Sequence, residues 1–296
     1  MRFHSLTRHA PTIAIVIAAF ACTSARADAT LDKIKQRGKL AVGVSSPHPP
    51  LGILDPVTGK TGGYQTELAA DIARRLGVQL ETVAVPSSTR VRLLQSGKID
   101  LIIAAIGWTP ERAEILSFAP TPYDVIGGVA MVPKRSGIRR WEDLRGKIVC
   151  VSQGSSYAKP LADVYGAVVK GLRGLSESLL ALKGGACEAS VHDYPELYSK
   201  LNDENAREWS DYTLTPQDAL NPTPVVVWMR KGETDTQAFV DQAIQDWHRS
   251  GFVLQQARQW GMVDTWVASR HALALQGKFD QAPADFDVYK ARQAKP

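Results

Sequence analysis

The sequence predicts an α/β protein of two lobes, each a central, mostly parallel sheet flanked by helices, joined by a double-strand hinge. Three observations carry this expectation. Apolar strands alternate with amphipathic helices in two separate stretches of the chain. Two proline-flanked extended segments, residues 123–132 and 225–229, stand on either side of the second stretch. The roughly 270 residues that follow an N-terminal leader suit two cores better than one. Lobe 1 is therefore expected to be discontinuous, formed by residues 28–124 with 226–296, and lobe 2 to comprise residues 125–225.

Residues 1–27 read as a secretion signal. Arg2 and Arg8 precede an apolar run over residues 13–21, and Ala25-Arg26-Ala27 is an A-x-A cleavage site. The run is too short to span a bilayer comfortably, and no other segment approaches ~20 uninterrupted apolar residues. Cleavage after Ala27 would leave a chain beginning at Asp28, exported to the periplasm or secreted. Cys22, behind Ala-Phe-Ala, offers a lipoprotein alternative with a poor lipobox. Loss of Arg2, Arg8 and Arg26 lowers the formal charge from +5 to +2. The basic balance thus belongs partly to the leader and implies no nucleic-acid partner.

After the leader, residues 31–38 form a short helix and Lys39–Val44 a strand. Tyr64–Leu76 carries apolar residues at helical spacing and stops before Gly77. Residues 78–85 are the next strand and 88–95 the next helix, ended by Ser96-Gly97. Residues 99–106 are apolar except for Asp100, as expected of a strand covered on both faces of a parallel sheet. The second unit reads as strand 147–152, helices 156–166 and 176–183, strand 186–192 and helix 195–201. Helices 235–250 and 252–260 return to lobe 1. From Ala272 onward no period is clear, and 272–296 reads as an extension of lobe 1, surface-bound or partly disordered.

Candidate chemistry gathers where strands end, the ends at which open α/β sheets bind ligands. Thr109 fits an N-cap, Pro110 the first helical position, and Arg112 falls in the first turn. Free amides at a helix N-terminus favour an anion and disfavour a cation. Arg112 is badly placed there unless a negative partner, such as a ligand carboxylate, sits beside it. The alternative is that its side chain swings out to Glu111, Glu114 or water. In the second unit, Ser152-Gln153-Gly154-Ser155-Ser156 follows a strand and opens a helix, either an anion-receiving turn or a plain cap. Asp193 stands where a strand gives way to a helix, as an N-cap or as a carboxylate for a ligand ammonium. Of three cysteines, Cys150 and Cys187 remain after cleavage, as a disulfide that an oxidising compartment permits or as buried thiols. The six histidines are scattered, and HExxH, GxSxG, GxGxxG and GxxxxGK[ST] are absent, which leaves no support for metal, nucleophilic or nucleotide chemistry. No cofactor is expected.

The pattern resembles the type II periplasmic solute-binding proteins of ABC importers, in the polar amino-acid branch (bacterial extracellular solute-binding proteins, family 3). The residues that carry it are Gly63-Tyr64 with Glu67-Leu68-Ala69, Arg90 with Leu94-Gln95-Ser96-Gly97-Lys98-Ile99-Asp100, and Thr109-Pro110-Glu111-Arg112 with Phe118 and Pro122-Tyr123. They continue through Glu142-Asp143-Leu144-Arg145-Gly146-Lys147, Gln153-Gly154-Ser155-Ser156 and Gly185-Ala186-Cys187-Glu188-Ala189 to Asp193. Their order and spacing, rather than any single motif, make the likeness specific.

The resemblance implies a receptor that closes on a polar α-amino acid and delivers it to an ABC permease of the inner membrane, as a monomer and without catalysis. It implies that Arg112 binds the α-carboxylate, that Ser155 and Ser156 donate to it, that Asp193 takes the α-ammonium, and that backbone near Ala105 and Gly107 completes the cage. At the side-chain end, His48 and Ser87 stand where relatives for basic amino acids often carry aromatic rings. Ser87 and Arg90 resemble the Ser-x-x-Arg of aspartate/glutamate receptors, whereas Ser45 stands where those carry a further arginine. Gly107 replaces a common Ser or Thr. Trp108 lines the cleft or belongs to a core, and Arg90 contacts the ligand or serves in a structural salt bridge. Two rivals share the fold: a prephenate or arogenate dehydratase, with Glu188, Asp193 or Glu196 as general acid, and a sensor receptor without a permease.

Overall fold

The computed structural model describes Met1 and residues 30–45, 47–202, 206–262 and 265–280. Ala27 and Cys22, and with them the expected leader, lie outside the described residues. In chain order, α1 (Thr30–Arg37) leads into β1 (Lys39–Val44), a small hairpin of β2 (Ile53–Leu54) and β3 (Thr61–Gly62), α2 (Tyr64–Leu76) and β4 (Gln79–Ala84). Then come α3 (Arg90–Gln95), β5 (Leu101–Ile102), α4 (Pro110–Ile115) and β6 (Leu116–Phe118). The chain crosses to β7 (Asp124–Pro133), β8 (Ile148–Ser152), α5 (Ala158–Asp163), β9 (Val168–Leu172), α6 (Leu175–Lys183), β10 (Ala189–Asp193), α7 (Tyr194–Asn202) and β11 (Tyr212–Val225). It returns through β12 (Trp228–Arg230), α8 (Thr234–Ser250), α9 (Phe252–Gln259) and α10 (Thr265–Ala274).

These strands make two five-stranded sheets, in the orders β4-β1-β5-β12-β6 and β11-β7-β10-β8-β9. Each is mixed rather than mostly parallel. β4, β1 and β5 are parallel, while β12 runs antiparallel to β5 and β6. β10, β8 and β9 are parallel, while β7 and β11 are antiparallel to their neighbours. The antiparallel strands are those adjoining the crossing segments, where the chain arrives from the other sheet and needs no crossover helix.

Both sheets are covered on two faces, so their strands alternate between cores. In β7, Val129 and Met131 join α6 and α7 on one side, and Ala130 and Val132 pack with Val149 and Val151 on the other. In the first sheet Leu40, Val42 and Val44 pack with α2, α8 and α9, and Leu94, Ile99 and Trp228 fill the opposite face. α2 ends because Gly77 adopts φ 69°, a left-handed cap whose N–H returns to the carbonyls of the last turn. The buried run 99–106 is a strand only over Leu101–Ile102. Ala105, at φ 46°, turns the chain out of the extended region, so the residues beyond it leave the ladder while staying buried. Asp100 is buried because it accepts from the Ala41 amide (2.9 Å) and pairs with Arg37.

Where the chain passes between the sheets, its two strands run side by side. The Tyr123 amide donates to Val225 O (2.9 Å), Ala119 to Val227 O (3.0 Å), and Asp124 pairs with Val225. Cys150, in β8, and Cys187 form a disulfide with Cα atoms 5.8 Å apart. The predicted helix over 156–166 is shorter, Ala158–Asp163, because residues 153–157 form an open turn first. α10 occupies the beginning of the predicted tail, and residues 281–296 lie outside the described residues.

Candidate functional site

The carboxyl ends of the parallel strands of both sheets face one cavity of about 50 Å³. It brings together His48, Ser87, Arg90, Ala105, Gly107, Arg112, Ser155, Ser156 and Asp193. Of the residues singled out in the sequence, Trp108 stays outside. Its ring packs edge-on against Phe118, 6.2 Å between centroids, in the core behind the β5–α4 loop. Trp108 also lines a second, larger cavity of about 530 Å³ between the halves, together with Arg112, Ser155 and Ser156, so it borders the cleft while its ring packs on the core.

Arg112 does not swing out to Glu111, Glu114 or water. Thr109 Oγ1 caps α4 by accepting from the Arg112 amide at 3.3 Å. The guanidinium folds back, donating from Nη1 to Gly107 O (2.8 Å) and from Nη2 to Gly154 O (3.3 Å). The second bond reaches the other sheet's half of the molecule. Two carbonyl partners leave a half-buried cation with no carboxylate on its fork among the described residues, and burial lowers its pKa. Arg90 is 8% exposed, donates to Ala104 O (3.1 Å), and is lowered to about 10 by burial and by the neighbouring Arg112. No carboxylate lies in salt-bridge reach of it among the described residues, so the structural ion pair is not made.

Gly107 is required by a close approach rather than by its dihedrals. A Cβ there would lie 2.7 Å from Thr223 Cγ2, in the returning strand with which Gly107 and Trp108 pair. A side chain at this position has no space unless Thr223 moves.

From the second half, Asp193 ends β10 and accepts from Tyr157 Oη at 2.5 Å. Burial and the adjacent Glu196 push its carboxyl up to about 7, although Tyr157, Arg90 and His48 pull the other way. Glu196, one turn into α7, is held below the usual carboxylate range: burial would raise it, but His48 Nδ1, 2.9 Å away, outweighs that. His48 belongs to the first half, so this pair also crosses the cleft. Burial would lower the His48 imidazole, yet Glu196 raises it on balance. His192, beside Ser152 (3.5 Å), is pushed down to about 4 by burial and is neutral near pH 7. Ser155 Oγ accepts from the Tyr157 amide (3.2 Å), which fixes the turn, while Ser156 lines the cavity.

Sequence reasoning missed Tyr157, His192 and Ile126, which line the cavity together with Ser45 and Ser152. Tyr157 directly follows Ser155-Ser156, and Glu196 stands three residues beyond Asp193, one helical turn away. Both signals were available in the spacing. Glu188 lies elsewhere, exposed and bound to Lys147 (3.2 Å) and the Ile148 amide, so it is no candidate acid for this cavity. Among the described residues no three His, Cys, Asp or Glu side chains are placed to hold a metal.

Two converging halves, with cationic forks on one and carboxylates on the other, form a polar cage for a small dipolar solute. The model of the bacterial extracellular solute-binding proteins, family 3, matches residues 40–263. The chain belongs to this family. The glutamine-binding protein of Geobacillus stearothermophilus is 36% identical to it over 193 residues, 64% of this chain and 73% of the relative. A mutant of ArgBP from T. maritima superposes with a TM-score of 0.70 at 30% identity, covering 78% of this chain and 98% of the other. The ancestral amino acid-binding protein AncCDT-1, described as a precursor of cyclohexadienyl dehydratase, matches with a TM-score of 0.68 at 26% identity, over 78% and 99% of the two chains. The fold is that of the type II periplasmic binding proteins, as the sequence predicted. In this family 3 chain, both halves supply charged groups to a single cavity.

Proposed function

We propose that this chain is an extracytoplasmic receptor that captures a polar α-amino acid between two lobes and hands it to an ABC-type permease. One observation carries the reading: Arg112, from the half built on the first sheet, and Asp193, from the half built on the second, face one small cavity. A zwitterion needs a cation and an anion a few ångströms apart, whereas a sugar needs neither. In this reading Arg112 takes the α-carboxylate, together with Ser155, Ser156 and backbone near Ala105 and Gly107, and Asp193 takes the α-ammonium. Residues 28–124 with 226–296 form one lobe and 125–225 the other, and the paired crossing strands act as the hinge. The mature protein works in the periplasm as a monomer after cleavage behind Ala27, meets the permease transiently, and makes or breaks no bond.

Thermal shift against the twenty amino acids and small dicarboxylates tests this, because a bound ligand raises the melting temperature by mass action. A response confined to amino acids is the expected result; response to none overturns the reading.

A catalytic reading has one observation in its favour. Asp193, raised to about 7, holds a proton near neutrality and could deliver it as a general acid, and AncCDT-1 is described as a dehydratase precursor. Incubation with prephenate and a scan for phenylpyruvate absorbance decides between the two.

A further inference from the structure

We propose that the end of the second sheet remote from the cavity is a docking surface for an anionic phospholipid bilayer. The inference goes beyond the amino-acid reading and does not depend on which solute the cavity takes. It starts from an uneven distribution of charge. Residues 134–147, between β7 and β8, hold six cations (Lys134, Arg135, Arg139, Arg140, Arg145, Lys147) against Glu142 and Asp143, a net +4. The whole chain behind the leader carries only +2, so the remainder is net negative.

Strand directions place this segment. β7 runs antiparallel to β10, while β10, β8 and β9 are parallel to one another. The carboxyl end of β7 therefore lies beside the amino ends of the other three, opposite the ends that face the cavity. On that rim Ile148 pairs with Val168, and both are exposed, at 41% and 55%. The Gly146 amide donates to Gly166 O and the Val168 amide to Lys147 O, both at 2.9 Å. The Trp141 and Tyr165 rings pack 5.9 Å apart across the same two loops. The Arg145 guanidinium lies against Gly166, where a Cβ would come within 3.0 Å of Nη1. Cations and an aliphatic pair thus share one braced surface.

The acids at this end do not neutralise it. Asp143 is used locally: it accepts from the Arg139 and Arg140 amides (2.8 and 3.1 Å) and pairs with the Arg140 side chain at 3.3 Å. Glu188 pairs with Lys147 and Glu208 with Lys183. Asp211, whose carbonyl accepts from the Lys134 amide (2.8 Å), and Arg207 add one charge of each sign. Glu142 is exposed and offsets one cation at most. Among the described residues Lys134, Arg135, Arg139 and Arg145, all exposed, form no ion pair, and Arg139 donates only to Ile138 O (3.0 Å). A cation free of carboxylates suits a phosphate oxygen, and aliphatic side chains among such cations suit the boundary between headgroups and acyl chains. An acidic protein would answer the cations alone, whereas a bilayer takes both. Contact at this end leaves the cleft, at the other, free to open.

Co-sedimentation of protein recovered after export provides the test, with vesicles of phosphatidylethanolamine and phosphatidylglycerol in equal parts against vesicles of phosphatidylcholine alone. The protein should partition onto the first and not onto the second. Arg135→Gln and Arg145→Gln should each lower the partition about fivefold, and the double variant about 25-fold, as expected for cations held near an anionic surface. Lys33→Gln with Lys35→Gln removes the same charge from exposed positions of α1 and should leave the partition unchanged. An unaltered melting temperature shows that each variant is folded. The proposal is overturned if the wild type ignores the anionic vesicles, or if the α1 variant loses as much as the double variant, since net charge alone then governs. It is equally overturned if the protein binds soluble polyglutamate and not vesicles, which would assign the surface to an acidic protein.

Discussion

In the proposed role of Asp193 as partner of the α-ammonium, ligand binding depends on pH in a way that can be worked out from its surroundings. Its carboxyl titrates near about 7, because burial and Glu196 both disfavour the charged form. An α-ammonium docked on it favours the carboxylate. Below about pH 7 the ligand must therefore expel a proton as it binds, and above that it need not. The affinity should rise with pH up to about 7 and level off beyond, losing roughly tenfold for each pH unit below, or ~100-fold at pH 5. Glutamine is a suitable probe, since none of its groups titrates between about pH 5 and 7. His48, whose imidazole Glu196 raises, also faces Asp193, so the measurement belongs in a His48→Gln background as well. Calorimetry in two buffers of different ionisation enthalpy counts the protons directly, with close to one released per ligand at about pH 5.5. Asp193→Asn should bind more weakly and lose the dependence. A flat affinity across this range, or uptake of protons on binding, refutes the assignment of Asp193 to the ammonium.

Three other outcomes follow from the same geometry. Arg112→Ala should cost about 2–5 kcal/mol of binding, seen by calorimetry, because a buried ligand carboxylate loses its charged partner; unchanged affinity would remove Arg112 from the site. Tyr157→Phe deletes the 2.5 Å phenol bond that pulls the Asp193 pKa down, so the pH at which affinity levels off should move upward, and a curve that stays in place shows the phenol to be a bystander. Gly107→Ala pushes a methyl to 2.7 Å from Thr223 Cγ2 and should cost about 1–3 kcal/mol of stability in chemical denaturation. Thr223→Ser in the same chain, which removes that methyl, should restore most of the loss.

Much of the fold was legible because its elements are locally consistent. β1 is Lys39–Val44 and α2 is Tyr64–Leu76, as the periodicity requires, and Thr109 caps α4 as its position before Pro110 implies. The elements that escaped are those whose local pattern is weak. β11 contains Pro222 and Pro224, which argue against a strand, yet it forms the edge of its sheet, where an absent N–H is tolerated. β9 is short, half-exposed and also at an edge, so its sequence carries little apolar alternation. β5 is only two residues long, and Ala105 three residues beyond it takes a positive φ, a conformation that nothing in an alanine announces. At the site, Arg112 and Asp193 could be picked out because a charge at the end of an element stands out in one dimension. The His48–Glu196 pair could not, since its partners lie far apart in sequence and come together only when the two halves meet.

The charges in the cavity also bear on how binding and closure are coupled. Arg90 sits beside Arg112 on one side, and Asp193 beside Glu196 on the other, and each like-charged pair costs free energy when desolvated. The pKa of Arg90 falls and that of Asp193 rises for this reason. A dipolar ligand relieves both pairs at once, placing its carboxylate against the guanidinium side and its ammonium against the carboxylate side. The direct bonds across the cleft, Arg112 to Gly154, His48 to Glu196 and Ser199 to Pro49, are few and polar. Bonds of this kind contribute only about 0.5–3 kcal/mol each, the larger values where a partner is charged. Relief of the two like-charge pairs adds to these bonds, and it depends on the ligand carrying both charges. A molecule with the carboxylate alone would relieve only one pair and leave the other buried, which is a physical reason for such a site to prefer amino acids to simple carboxylic acids.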